Sequence, residues 1–277
     1  MSTVSASAVK AFRARTGLPL MDCKKALQAA GGDEDKAIEL LRKEGQKLAD
    51  KRADRETAFG RFGQCLGLDR TACAMVELLC ESAPVTQNDE FIQLANDLAT
   101  ALANSQGVST ADELLDLDSP SMPGTTLRTQ KEDLFNRIRE VFNVGRMIRV
   151  AGSCGGYTHN AGTVAGVLLH VEGGTDEAAK DISMHIAAMK PAALSADDLD
   201  QDMIDKERQI LRAAALAEGK PENIVDKMVD GRMRSFFAER TLLQQPFVKD
   251  DKQTVEQYAK SAAMVVKSYH HWILGEK

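Results

Sequence analysis

Apolar residues recur at helical spacing through the first 45 positions, where they predict three short helices sharing one small buried face. The first sets Val9 and Phe12 on one side, with Ser5 or Ser7 placed to cap its start and Thr16-Gly17 to stop it. In the second, Cys23, Ala26, Leu27 and Ala30 stand at i, i+3, i+4 and i+7, and Gly31-Gly32 supply a left-handed C-terminal turn. Asp33 caps the third, whose Ala37, Ile38 and Leu41 form a stripe that Gly45 ends. So small a core leaves the module marginally stable by itself. The connection between the first two helices gathers Leu18, Pro19, Leu20 and Met21 where polar residues are usual. Either Leu20 and Met21 staple the second helix onto the bundle, or they form a surface on which a partner docks. Lys24 and Lys25 beside them are a solvated face or a charged rim that speeds encounter.

Positions 46–60 are charged without an apolar stripe and read as an exposed linker, helical in part. The period then becomes that of strands. Segments 62–68 and 71–80, separated by Asp69-Arg70, form a hairpin. Helical spacing returns over 88–104, through Phe91, Leu94, Ala95, Leu98 and Leu102, and over 126–142, with Leu134, Ile138 and Val141 inward. A Pro- and Ser-rich loop at 119–124 lies between them, and 146–151 makes a third strand. A second unit begins at Gly152 with a glycine-rich turn over 155–162, a strand over 163–171 and a helix over 176–189 that turns Ala179, Ile182, Ile186 and Met189 inward. The order of elements is repeated without a residue-level repeat.

Long charged helices follow. Ser195 and Asp198 fit a capping box, and Leu199, Met203, Ile210 and Ala214 recur near a 3.5-residue spacing up to Gly219-Lys220-Pro221. A return helix with Ile224 and Met228 inward completes an antiparallel hairpin, in which Met203, Met228 and Met233 read as packing rather than a cofactor site. An extended stretch over 242–248, a short helix over 254–260 and a strand over 263–274, with Val265, Val266, Trp272 and Ile273 packing, close the chain. The pattern is that of an α+β protein. It divides into a three-helix module at 1–45, the linker at 46–60, one core subdomain at 61–151, a second at 152–194 and 241–277, and a coiled-coil hairpin at 195–240 inserted in the second.

With 277 residues and 43% hydrophobic content, the chain is long enough for two modest domains. Its 35 basic and 41 acidic residues are interspersed, giving a net charge of −6, which argues against nucleic acid as the main ligand and for a protein partner. The start lacks a signal-like apolar region and no run approaches the roughly 20 apolar residues of a membrane span, so no membrane segment and a cytoplasmic location are expected. Five scattered cysteines without CxxC spacing suit neither a disulfide framework nor a zinc site and read as small buried hydrophobes. An enzyme would have to draw on a thiol such as Cys80 with His159 or His185 as base, yet no GxSxG, HExxH or P-loop is present and Gly155-Gly156 is too short a phosphate cradle. No catalytic residue, metal or cofactor is assigned.

Five stretches resemble the bacterial elongation factor Ts family, in the same order and across nearly the whole chain: TGLPLMDCKKAL from Thr16, GGDEDKAIELLRKEG from Gly31, HIAAMKP from His185, GKPENIVDKMVDGRM from Gly219 and QPFV from Gln245. In the first, Met21, Asp22, Cys23, Lys24 and Lys25 fit the family, whereas Leu18, Pro19 and Leu20 replace its small residues and Met pair. The resemblance implies a UBA-like amino-terminal module, two α+β subdomains with an inserted hairpin, and release of GDP from the GTPase elongation factor Tu, the second subdomain displacing another domain of that partner. By itself the three-helix module would equally suit a ubiquitin-associated-type adaptor. Cys80-Glu81-Ser82-Ala83-Pro84-Val85 stands where the family carries Cys-Gln-Thr-Asp-Phe-Val, whose Asp and Phe enter the nucleotide domain beside the magnesium. Ala83 and Pro84 supply neither a carboxylate nor a large ring, so the loop would press by backbone and shape, with Glu81 or Ser82 as its polar element. The implied partner-binding residues are Leu20, Met21, Lys24, Glu81, Ser82, Ala83, Pro84, Val85, His159, which matches a family His, and Phe247, core by default and a contact by resemblance. The alternative is a chaperone or scaffold of elongation factor Tu without exchange activity. The hairpin is a candidate surface for a homodimer or a 2:2 complex.

Overall fold

In the computed structural model, which describes residues 4–219 and 221–276, Ser5 and Gly17 bracket the first helix, α1 (Ala6–Thr16). The Ser5 hydroxyl accepts the Ala8 N–H at 3.2 Å, and Gly17 at φ 69° provides the left-handed exit. Helix α2 (Leu20–Ala29) begins directly after Pro19, and α3 (Glu34–Arg52) is capped by the Asp33 carboxylate, which accepts the Lys36 N–H. Val9, Phe12, Cys23, Ala26, Leu27, Ala37 and Leu41 form the common core, with Leu18 and Ile38 at its margin. It is therefore Leu18 that closes the entry to α2. Leu20 and Met21 sit on the first turn past the edge of this cluster, 47% and 56% exposed, so the staple reading is corrected.

The chain separates into two compact units, one comprising the chain through Cys65, Ala74–Arg149 and the residues from Leu274, the other Leu66–Cys73 and Val150–Ile273. In the first, β1 (Phe59–Cys65) and β2 (Ala72–Cys80) pair antiparallel with Phe59 opposite Cys80. The first strand lies three residues earlier than its apolar run predicts, because Leu68 packs in the core of the other unit. Helix α4 (Asp89–Asn104) is capped by Asn88 and buries Phe91, Leu94, Leu98 and Leu102. A short helix that the sequence reading omits, α5 (Ala111–Leu115), forms on the Thr110/Glu113 capping box. Helix α6 (Leu127–Ile138) stops at Arg139, whose φ of 67° turns the chain, so β3 (Phe142–Ala151) begins where helix was expected. The sheet order is β1-β2-β3. The buried Glu77 of β2 accepts hydrogen bonds from the Arg146 main chain and guanidinium of β3 at 2.7 to 3.2 Å.

Gly45 does not end α3. It is buried against α6, where a Cβ would stand 1.9 Å from Asn136 Oδ1, so the missing side chain admits a close approach between helices while the helix runs on to Arg52. Residues 46–52, expected as linker, are thereby helical.

In the second unit the glycine-rich stretch expected as a turn is strand β4 (Cys154–His159). Gly155 serves close packing: a Cβ there would lie 2.4 Å from the Ala179 Cβ on the helix above. Strand β5 (Ala165–Gly173) follows, then α7 (Asp176–Met189), capped by Thr175 and burying Ala179, Ile182 and Ile186, with Met189 exposed on its last turn. The hairpin consists of α8 (Gln201–Ala217) and α9 (Glu222–Arg240), and Lys220 of its turn lies outside the described residues. Its seam is Leu199, Ile204, Ala215, Val225, Val229, Met233 and Phe236. Met203, Ile210 and Ile224, expected inward, are 41%, 53% and 43% exposed, so the phase is one residue away from that suggested by the largest apolar side chains.

The chain then forms a ribbon of β6 (Pro246–Phe247) and β7 (Asp250–Thr254), the short α10 (Val255–Ser261) with Thr254 and Gln257 as its capping box, and β8 (Met264–Ile273). The sheet order is β4-β5-β8. Val266 and Ile273 are buried, Trp272 is half-buried, and Val265 faces out. Sheets, helices and their separate cores make the fold α+β. All five cysteines are free, buried thiols.

Candidate partner-docking surface

Strand β2 delivers the chain at Cys80 into a tight turn. Ser82 is extended, and a 3-10 turn runs from Ala83 to Gln87. Val85 is buried and anchors the turn in the first unit's core, leaving Ala83 and Pro84 exposed at its tip. The two polar side chains expected to face a partner are engaged inside the molecule. Glu81 accepts the Val141 N–H at 2.8 Å and pairs with Arg55 at 2.9 Å. Partial burial pushes its carboxyl up, but the Val141 N–H and Arg55 outweigh that and hold it below the ordinary glutamate range. Ser82 donates its N–H and its hydroxyl to the two oxygens of Glu140, at 3.0 and 2.6 Å. Arg61 donates to the Thr86 carbonyl at 2.9 Å, and Thr86 donates to the Ala83 carbonyl at 2.7 Å. What the turn offers outward is the shape of Ala83-Pro84 on a hydrogen-bonded frame.

The same unit carries Leu20, Met21 and Lys24 exposed on α2, with Asp22 between them paired to Arg139 at 2.6 Å. In the second unit, His159 ends β4 on the exposed face, its Nδ1 3.2 Å from the Tyr157 hydroxyl. Phe247 is buried, its ring stacked 4.2 Å from Tyr258 and 5.9 Å from His185. It is a core residue of that unit. Arg55, Arg139 and Glu140 escape sequence reasoning because nothing local marks them; each acts on a segment distant in the chain.

As nucleophile, Cys80 is poorly placed. Its thiol is fully buried, donates to the Ser82 carbonyl, and is pushed up to about 12 by burial and by the Glu140 charge, so the thiolate is suppressed at neutral pH. Among the described residues no group of three or more His, Cys, Asp or Glu side chains converges to hold a metal ion, and no helix is long and apolar enough to cross a membrane.

His185 yields a pH prediction. Its Nδ1 accepts the Val248 N–H at 3.1 Å, which places the proton on Nε2, 2.8 Å from Gln245 Oε1. Burial lowers its pKa, as it does that of His270. The unfolded chain takes up these protons first, so stability is full above about pH 6.5 and falls as pH drops below it, by about 1.4 kcal/mol per pH unit for each such group until its folded pKa is reached. Thermal melts between pH 5 and 8 followed by Trp272 fluorescence should show this slope, and His185→Gln should flatten it; a slope unaltered in the variant would assign the effect elsewhere.

Comparison with known proteins agrees along the whole chain. The family model described as elongation factor TS matches residues 84–276. Elongation factor Ts of Azoarcus sp. strain BH72 is 43% identical over 279 residues, covering 100% of this chain and 92% of that protein. Elongation factor Ts of Herminiimonas arsenicoxydans is 41% identical over 100% of this chain and 92% of its own, and that of Methylococcus capsulatus strain Bath is 40% identical over 99% and 93%. With identity of this level over its full length and a family match across both units, the chain belongs to the elongation factor Ts family and its role lies in translation elongation.

Proposed function

We propose that this protein is a guanine-nucleotide exchange factor for elongation factor Tu, acting in the cytoplasm by binding and without any bond-making step. A factor that binds the empty GTPase more tightly than its GDP-bound form must, by reciprocity, weaken GDP by the same ratio. The magnesium and phosphate site is the natural target, since Mg²⁺ demands near-ideal octahedral oxygen geometry and small displacements are costly. In this reading Leu20, Met21 and Lys24 dock the three-helix module, Ala83-Pro84 presses toward the nucleotide, and His159 makes a further contact from the second unit. Glu81 and Ser82 serve from inside by holding the tip, and Val85 anchors it. The observation that carries the proposal is the exposed Ala83-Pro84 turn, braced from below by Glu81 and Ser82, in a chain with 43% identity to an elongation factor Ts along its length.

A second reading, a chaperone or scaffold that holds elongation factor Tu without hastening GDP release, draws on Ala83 and Pro84, which offer neither carboxylate nor ring. Stopped-flow release of a fluorescent GDP from elongation factor Tu separates the two. Exchange predicts acceleration on the order of 10-fold or more with the intact chain, and loss of that acceleration when Glu81, Ser82 and Pro84 are replaced together by glycine. Tight binding with an unchanged release rate would establish the scaffold.

A further inference from the structure

We infer that the turn Arg139 to Val141 is a brace that fixes the position of the Ala83-Pro84 tip, making Arg139 and Glu140 positioning residues for nucleotide release; the inference rests on the exchange reading above. Three consecutive residues hold three other segments. The Arg139 guanidinium binds Asp22 of α2 at 2.6 Å, and its carbonyl accepts from the Arg52 guanidinium of α3. Glu140 takes both Ser82 donors, and the Val141 N–H is taken by Glu81, whose other oxygen holds Arg55. The helix bearing Leu20 and Met21 and the turn bearing Ala83 and Pro84 are thus tied to one short stretch of main chain.

The chemistry of the tip makes this brace consequential. A carboxylate or a phenyl ring can act on a phosphate site by its own charge or bulk, but Ala83 and Pro84 act only through where the backbone stands. A tip free to recoil would yield to the GTPase instead of displacing it, and misplacement by about 1 Å is enough to lose on the order of 100-fold in a rate that depends on geometry. Arg139 itself adopts φ 67°, a left-handed conformation that glycine would take without steric cost. Glycine there would lack the side chain that reaches Asp22.

The test is GDP release from elongation factor Tu measured against concentration of the full chain, with wild type, Glu140→Ala, Glu140→Gln, Ser82→Ala, the double variant and Arg139→Gly. Glu140→Ala is expected to lower the maximal release rate on the order of 10- to 100-fold with the half-saturating concentration unchanged, and Glu140→Gln, which keeps one carbonyl acceptor, to recover part of it. The double variant should be no worse than Glu140→Ala alone, because Ser82 Oγ acts only through Glu140. Amide hydrogen exchange at residues 82–86 should quicken in step with the lost rate. Arg139→Gly removes backbone strain, so its melting temperature should hold or rise while its maximal rate falls, which a merely stabilising role does not allow. A wild-type chain that accelerates release beside a Glu140→Ala chain that does so equally would refute the brace alone. Additive losses in the double variant would also refute it. A wild-type chain without effect on release refutes the exchange reading itself.

Discussion

Gly63→Ala is expected to destabilise the first unit by about 3 kcal/mol, although the substitution adds a single methyl group to a strand. Gly63 lies in β1 opposite Val76, and its backbone is not left-handed, so the effect does not come from φ. A Cβ at this position would stand 1.8 Å from the Ala95 carbonyl oxygen and 2.3 Å from its carbon. Those atoms belong to the main chain of α4, which has no rotamer to escape into, so the helix must withdraw by about 1–2 Å to restore ordinary contact. Withdrawal loosens Phe91, Leu94, Leu98 and Leu102, the residues with which α4 fills the unit's core. Gly45→Ala is the control. Its clash is with the Asn136 side-chain amide, whose Oδ1 has no hydrogen-bond partner among the described residues, and a cleft of about 340 Å³ beside it gives that amide somewhere to turn. About 1 kcal/mol is expected there. Hydrogen exchange of the paired β1 and β2 amides reports on the unit directly, and near-equal protection in the two variants would contradict the contrast between main-chain and side-chain obstruction.

These glycines also mark where the sequence ceases to be legible. Ser5 and Asp33 mark the starts of α1 and α3, because a capping oxygen before an apolar stripe is a local signal set by local chemistry. Gly45 and Gly155 carry the same letter as the helix-ending Gly17, but their purpose is to let another element come near, and proximity is decided by tertiary packing. The hairpin failed differently. Choosing Met203, Ile210 and Ile224 for their size misplaced a seam that runs through Ala215 and Val225, where small residues let two helices approach. The Cys80 to Val85 turn was recognisable, and its exposed pair with it, but the groups that hold it lie 58 and 60 positions away, and Asp22 lies 117 positions from Arg139. Polar contacts over such separations leave no periodicity to read.

Phe247→Ala should cost the second unit about 3–5 kcal/mol, a core penalty that separates the two roles the residue was offered. The ring stacks 4.2 Å from Tyr258 at 16° between planes and lies 5.9 Å from His185, with 2% of its surface exposed. Truncation leaves a cavity beneath a two-residue strand that has no second large apolar anchor, since Pro246 points outward. Tyr258 keeps its hydrogen bond to Asp181 at 3.1 Å, which Lys249 also holds at 2.6 Å, so the neighbourhood is pinned at its polar edge and cannot collapse fully into the void. Phe247→Leu fills most of the space and should lose less than about 1.5 kcal/mol. Denaturant unfolding followed at Trp272, the single tryptophan and a resident of the same unit, measures both. The leucine variant then decides function under the proposed exchange reading: as a core residue, its replacement leaves the acceleration of GDP release from elongation factor Tu per folded molecule unchanged. A leucine variant of near-native stability that accelerated GDP release from elongation factor Tu less than the wild type would restore Phe247 to the docking surface, and an alanine variant losing less than about 1 kcal/mol would remove it from the core.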